Sequence, residues 1–134
     1  MIIKRGDIVD HLIFLNYGKA HLYGFFKWDD CQHRTKISTL SKGAWYGDYQ
    51  IMLNTRSTWD LEAGFDFEFK DKRRPKAMPA NHVMVYFIEA DKFRKICNSY
   101  PSYRSFIVTR SVLRRSSLRG MMNENINVLL LNQK

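Results

Sequence analysis

The stretch Lys42 to Gln50, KGAWYGDYQ, is where residue types and spacing first suggest chemistry. Two glycines stand four positions apart, aromatics lie between and after them, and an acid, Asp48, directly follows the second. Such a stretch suits a small pocket in which backbone and carboxylate grip a ligand. It equally suits a tight turn that buries its aromatics, and by itself it leaves both readings open. Other chemistries have less to stand on. His11, His21, His33 and His82 show no metal-ligand spacing, so no metal is expected. No Ser-His-Asp or Cys-His arrangement stands out and no Walker loop is present, so no catalytic residue is assigned and an enzyme is not expected. His11 and His21 lie near one turn and suit pairing across it, a structural role. Cys31 and Cys97, 66 positions apart, form no redox or metal spacing and point to a reducing, intracellular setting.

The elements that must position this stretch are mostly short strands. Met1 to Lys4 reads as a strand remnant and Arg5 to Asp7 as a turn. His11 to Asn16 is strongly apolar, Asn16 to Lys19 predicts a tight hairpin, and Ala20 to Phe26 pairs back. Lys27 to Arg34 reads as a polar loop, Thr35 to Leu40 alternates as a half-buried strand, and Trp59 to Ala63 begins another. Gly64 to His82 reads as a long basic hairpin insertion. Val83 to Ile88 is a continuous β-branched and aromatic run, the clearest strand. The periodicity then turns helical. Asp91 is placed to cap Lys92 to Ser99, with Phe93, Ile96 and Cys97 on one face. Tyr100-Pro101-Ser102 breaks that helix. A second follows with Tyr103, Phe106, Ile107, Arg110 and Leu113 on one face, ending or fraying at Gly120. Residues 1–120 form the expected domain, and 121–134 a tail or short helix. Strands first and helices last make an α+β layout.

Composition fits one domain with a real core: 134 residues, 45% hydrophobic and 14% aromatic. No stretch approaches a membrane span, and the charged first residues do not form a signal peptide. The net charge of +9 points to an anionic partner. The charge clusters at Lys70, Lys72, Arg73, Arg74 and Lys76, and again at Arg104, Arg110, Arg114, Arg115 and Arg119. Either cluster also reads as a solvated face.

Four pieces of the chain, in order, carry a resemblance. They are KRGD at Lys4 to Asp7, LIFLNYGKAHLY at Leu12 to Tyr23, ISTLSKGAWYGDYQIML at Ile37 to Leu53, and VYFIEADKFRKICNSYP at Val85 to Pro101. Together they resemble the cyclic-nucleotide-binding domain, over about residues 2 to 115. The resemblance implies an antiparallel β jelly-roll barrel with C-terminal helices that close over cyclic AMP or cyclic GMP. It implies a missing first helix and strand, so an N-terminally truncated domain. The wording GDYQIMLNTRS, Gly47 to Ser57, is similar to domains of voltage-gated potassium channels, especially channel-like proteins of ciliates. That implies a soluble, regulatory domain on the cytoplasmic face of a membrane, attached to a channel or another regulated domain, with homo-oligomerisation left open.

The family's Phe-Gly-Glu and its Arg with small residues correspond here to Tyr46, Gly47, Asp48 and to Arg56, Ser57, Thr58. The resemblance makes these the ligand-binding residues, with backbone N–H groups and Arg56 on the phosphate and Asp48 on the ribose hydroxyl. Arg110, Leu113 and Arg114 become the lid over the base. The sequence departs from the pattern at three places. Asp48 is one methylene shorter than the usual Glu, Arg56 follows it by eight positions rather than nine, and Trp59 stands where small or β-branched residues are usual. Alternatively, Asp48 caps a short helix from Tyr49, Arg56 is a surface turn residue and Trp59 is core. Three functions follow: a sensor coupling cyclic nucleotide to helix movement, a non-binding barrel kept as a structural or interaction module, or a nucleic-acid or acidic-membrane binder. The last rests on charge alone and lacks interleaved stacking platforms, so nucleic acid is not expected.

Overall fold

The computed structural model describes residues 1–64 and 83–131. The basic run at 70–76, His82 and all of the expected insertion except Gly64 lie outside the described residues. The strands are β1 (His11–Tyr17), β2 (Ala20–Trp28), β3 (Cys31–Leu40), β4 (Trp45–Tyr46), β5 (Asp60–Ala63) and β6 (Met84–Glu89). The helices are α1 (Asp48–Met52), α2 (Ala90–Ser99) and α3 (Pro101–Leu131). The strands form two antiparallel three-stranded sheets, ordered β4-β1-β6 and β3-β2-β5, and the long helices come last. This is the expected α+β jelly-roll-type layout.

β1 takes the middle of one sheet and β2 the middle of the other. Ile13 and Leu15 of β1 and Ala20 and Leu22 of β2 are buried and belong to one core with Leu61 of β5. The expected hairpin at Asn16 to Lys19 is corrected on this account. β1 pairs with β4 and β6, and β2 with β3 and β5, so the turn at Gly18 (φ 81°) carries the chain from one sheet to the other. His11 and His21 accordingly sit in different sheets, bonded to Asp10 and Thr39.

The expected loop at Lys27 to Arg34 is the real hairpin. Asp29 and Asp30 both take positive φ, 53° and 59°, and Trp28 faces Cys31 in register. Two consecutive left-handed residues are what a two-residue hairpin turn needs, and Asp tolerates them. The polar composition hid this arm because β3 is exposed from Cys31 to Arg34, where no alternation is required.

The carboxyl end also departs from expectation. α3 runs through Gly120 to Leu131. One glycine in a helix costs about 1 kcal/mol, and Leu118 and Met122, buried on either side of Gly120, hold the helix down. The buried face is Ser111, Leu118 and Met122, with Ile107 and Ile126 partly packed. Of the residues expected on one face of this helix, Ile107 packs against the core, while Tyr103, Phe106 and Leu113 are exposed. In α2, Phe93 and Cys97 are buried as expected but Ile96 is exposed, and the helix begins at Ala90 with Glu89 as N-cap.

Candidate functional site

The opening stretch folds as one tight unit. Tyr46 ends β4 and is fully buried, while Trp45 beside it turns to the other face, half-buried. Gly47 then takes φ 108° and ψ −7° as the N-cap of α1. A Cβ there would lie 2.9 Å from the His11 carbonyl oxygen and 3.0 Å from Val9 Cγ1. Glycine is thus required twice, by the dihedral and by the close approach of β1. α1 follows, its Ile51 N–H bonded to the Gly47 carbonyl at 3.0 Å.

Asp48 does not cap that helix through its side chain, as one reading expected: α1 begins at Asp48 itself and its cap makes no side-chain bond. The carboxylate goes instead to α3. Oδ2 accepts from Ser111 Oγ and Oδ1 from Arg114 Nη1, each at 3.2 Å. Arg114 also donates to the Trp45 carbonyl and holds its guanidinium 5.5 Å from the centre of the Trp45 ring. Asp48 and Ser111 are buried, and a buried carboxylate needs such partners.

The second half of the cassette points elsewhere. Arg56 is exposed and donates from Nη1 to the Gly6 carbonyl at 2.9 Å. Ser57 is buried; its hydroxyl bonds the Tyr46 hydroxyl at 2.7 Å and donates to the Trp59 carbonyl at 2.8 Å. Trp59 is core, and its Nε1 donates to the Tyr49 hydroxyl at 2.6 Å. Thr58 is exposed. Burial pushes the Tyr46 phenol well above the ordinary tyrosine value and raises that of Tyr49 too, so both stay neutral. The interior next to the cassette is therefore filled by Tyr46, Tyr49 and Trp59.

The structure thus gathers the sequence candidates into two groups. Asp48 meets Arg114, and a cleft of about 340 Å³ beside them is lined by Trp45, Arg110 and Leu113. Tyr46 meets Ser57. Arg56 bonds Gly6, and Arg110 stands over the Phe106 ring at 5.3 Å. Sequence reasoning missed Ser111, Tyr49 and Gln50. Ser111 carried a usable signal: with Arg114, Leu118 and Met122 it follows the i, i+3, i+7, i+11 spacing of one helix face. Gln50 is 1% exposed and neither of its amide atoms has a hydrogen-bond partner among the described residues.

No family model and no curated protein compared with the chain matches it. Solved structures do. The chain is similar to the c-di-GMP-responsive global regulator CLP of Xanthomonas campestris at a TM-score of 0.61 and 10% identity, over 96% of this chain and 54% of that one. It is similar to the regulatory domain of Toxoplasma gondii PKA, solved with cAMP, at 0.55 and 13% identity, over 81% and 35%. It is similar to the regulatory subunit of a cAMP-independent protein kinase A from Trypanosoma brucei at 0.54 and 17% identity, over 96% and 37%. The chain spans about half the length of these structures or less. At such identities the likeness is one of fold, and the two sheets, the cassette turn at Gly47 and the closing helices agree with it: the chain has the fold of the cyclic-nucleotide-binding domain.

Proposed function

We propose that the chain is a regulatory module of the cyclic-nucleotide-binding type that is closed by its own helix and works without a bound nucleotide, as a structural or protein-interaction domain. One observation carries this reading: both oxygens of Asp48, the expected ribose acceptor, are taken by Ser111 and Arg114 of α3. Arg56, the expected phosphate partner, is bonded to Gly6 on the surface, and Trp59 is core. The Trypanosoma brucei neighbour is described as part of a cAMP-independent kinase, so the fold occurs in such a setting. Attachment to a potassium-channel-like protein, on the cytoplasmic face of a membrane, is supported by the wording of Gly47 to Ser57. No helix among the described residues is long and apolar enough to cross a membrane. Such spans would have to lie elsewhere in a longer product.

A second reading is favoured by the intact cassette turn, Gly47 at φ 108° leading into α1. Here cAMP or cGMP enters at Tyr46, Gly47, Asp48, Arg56, Ser57 and Thr58, with Arg110, Leu113 and Arg114 as the lid. Ribose binding at Asp48 would break the Asp48–Arg114 pair, so binding and release of α3 would be one event. Calorimetric titration of the purified chain separates the two. No heat with either nucleotide at millimolar concentration is expected; binding that Arg56→Ala abolishes would establish the sensor instead.

A further inference from the structure

Tyr103, Phe106 and Leu113 on α3 are 66%, 55% and 64% exposed. With Arg110 they follow an i, i+3, i+7, i+10 spacing, one straight stripe along the helix. The stripe does not stand free in solvent. Tyr103, Phe106 and Arg110 form one wall of a groove of about 450 Å³ whose other wall includes Leu12, Phe14 and Trp45. The cleft of about 340 Å³ continues it, sharing Trp45, Asp48 and Arg110 and adding Leu113. An apolar groove of this kind with a charged rim marks a docking surface.

We infer that this groove docks an acidic amphipathic helix. The charge selects the occupant. α3 carries Arg104, Arg110, Arg114, Arg115 and Arg119 against Glu124 alone, so a second copy of α3 would meet like charge. Arg110 has no carboxylate partner among the described residues and lies over Phe106, where a glutamate from a docked helix would reach it. The geometry selects a helix over a strand. β4 is two residues long and its Trp45 carbonyl already accepts from Arg114, which leaves little ladder for an added strand. The stripe has the spacing that a helix laid alongside would fill. The inference deepens the interaction-module reading and rests on it, while its test uses no nucleotide, so the two can fail separately.

The test is fluorescence anisotropy with two labelled peptides of about five helical turns. They share one Leu/Phe face and carry Glu or Lys on the rest. The Glu peptide is expected to bind the intact chain at least about tenfold more tightly than the Lys peptide, and more weakly as salt is raised. Arg110→Glu and Phe106→Ser should each weaken it by about tenfold. Both side chains are exposed, so the thermal melt by circular dichroism should stay unchanged. No binding of the Glu peptide, or equal binding of both, overturns the inference. So does self-association of the chain that Phe106→Ser abolishes. Phosphatidylserine vesicles that bind the chain and are not displaced by the Glu peptide also overturn it, since the stripe would then be a membrane face.

Discussion

Arg114 on α3 donates to the carboxylate of Asp48 on α1 across 3.2 Å, although 66 positions separate them. The pair joins the cassette to the closing helix, and it lies mostly out of water, with side-chain exposures of 8% for Asp48 and 21% for Arg114. Intact, such a pair contributes little net stability, because desolvation offsets attraction. Broken from one side it is costly, because a buried charge loses its partner.

Arg114→Met should therefore destabilise the chain by about 3 kcal/mol, read from urea unfolding. Asp48→Asn combined with Arg114→Met should recover most of that loss, since Ser111 still bonds the amide. Hydrogen exchange should show α3 amides near Ser111 opening faster in the single variant than in the double. Additive losses in the two variants would show that the residues do not act on one another.

This relationship marks where the sequence stops being readable. The cassette turn was legible because Gly47 followed by an acid, inside an aromatic run, is a local signal. β6 was legible because Val85 to Ile88 is an unbroken β-branched and aromatic run. The order of strands and helices followed from such local cues, and so did the α+β layout, while the jelly-roll barrel came from the family resemblance. Partner choice did not. Nothing near Asp48 announces Ser111 or Arg114 as its partners: helical periodicity can place those two on one face, but a contact across 63 or 66 positions leaves no mark on either side of it. The inner face of α3 was misread for a related reason. Apolar periodicity favours Tyr103, Phe106 and Leu113, and the packed face is set instead by the small Ser111 against α1 and by Met122 over Gly24. The first hairpin was misplaced because a turn signal at Gly18 says that the chain reverses, and cannot say which sheet it rejoins.

The buried phenols predict a loss of stability in alkali. Desolvation raises the Tyr46 and Tyr49 values above the 10.0 of an exposed tyrosine. A raised folded value means that the unfolded chain ionises first. The stabilising contribution is thus complete below about pH 10 and is lost as pH rises above it. Urea midpoints should fall between pH 9 and pH 11, and absorbance at 295 nm should show fewer tyrosines titrating before unfolding than after. Tyr46→Phe with Tyr49→Phe should flatten that dependence while lowering stability at neutral pH by about 2 kcal/mol, through the lost bonds to Ser57 and Trp59. An unchanged alkaline slope in the double variant would assign the effect to other groups.

Gln50 gives the prediction that bears most directly on whether the cassette interior is closed. It lies on α1 two residues after Asp48, buried to 1%, with both amide atoms unpartnered among the described residues. A buried amide without partners costs about 1–3 kcal/mol, since it has given up its hydrogen bonds to water. Gln50→Met keeps the length and flexibility of the side chain and removes the polar atoms. In a closed, dry interior it should raise stability by about 1 kcal/mol or more, seen as a higher urea midpoint with an unchanged slope. Gln50→Glu should act in the opposite direction, because it places a carboxyl where nothing pairs with it. If Gln50→Met instead lowers stability, the amide has a polar partner in solution. The interior beside Asp48 would then be a place where a small polar ligand is held, which would favour the sensor over the self-closed module.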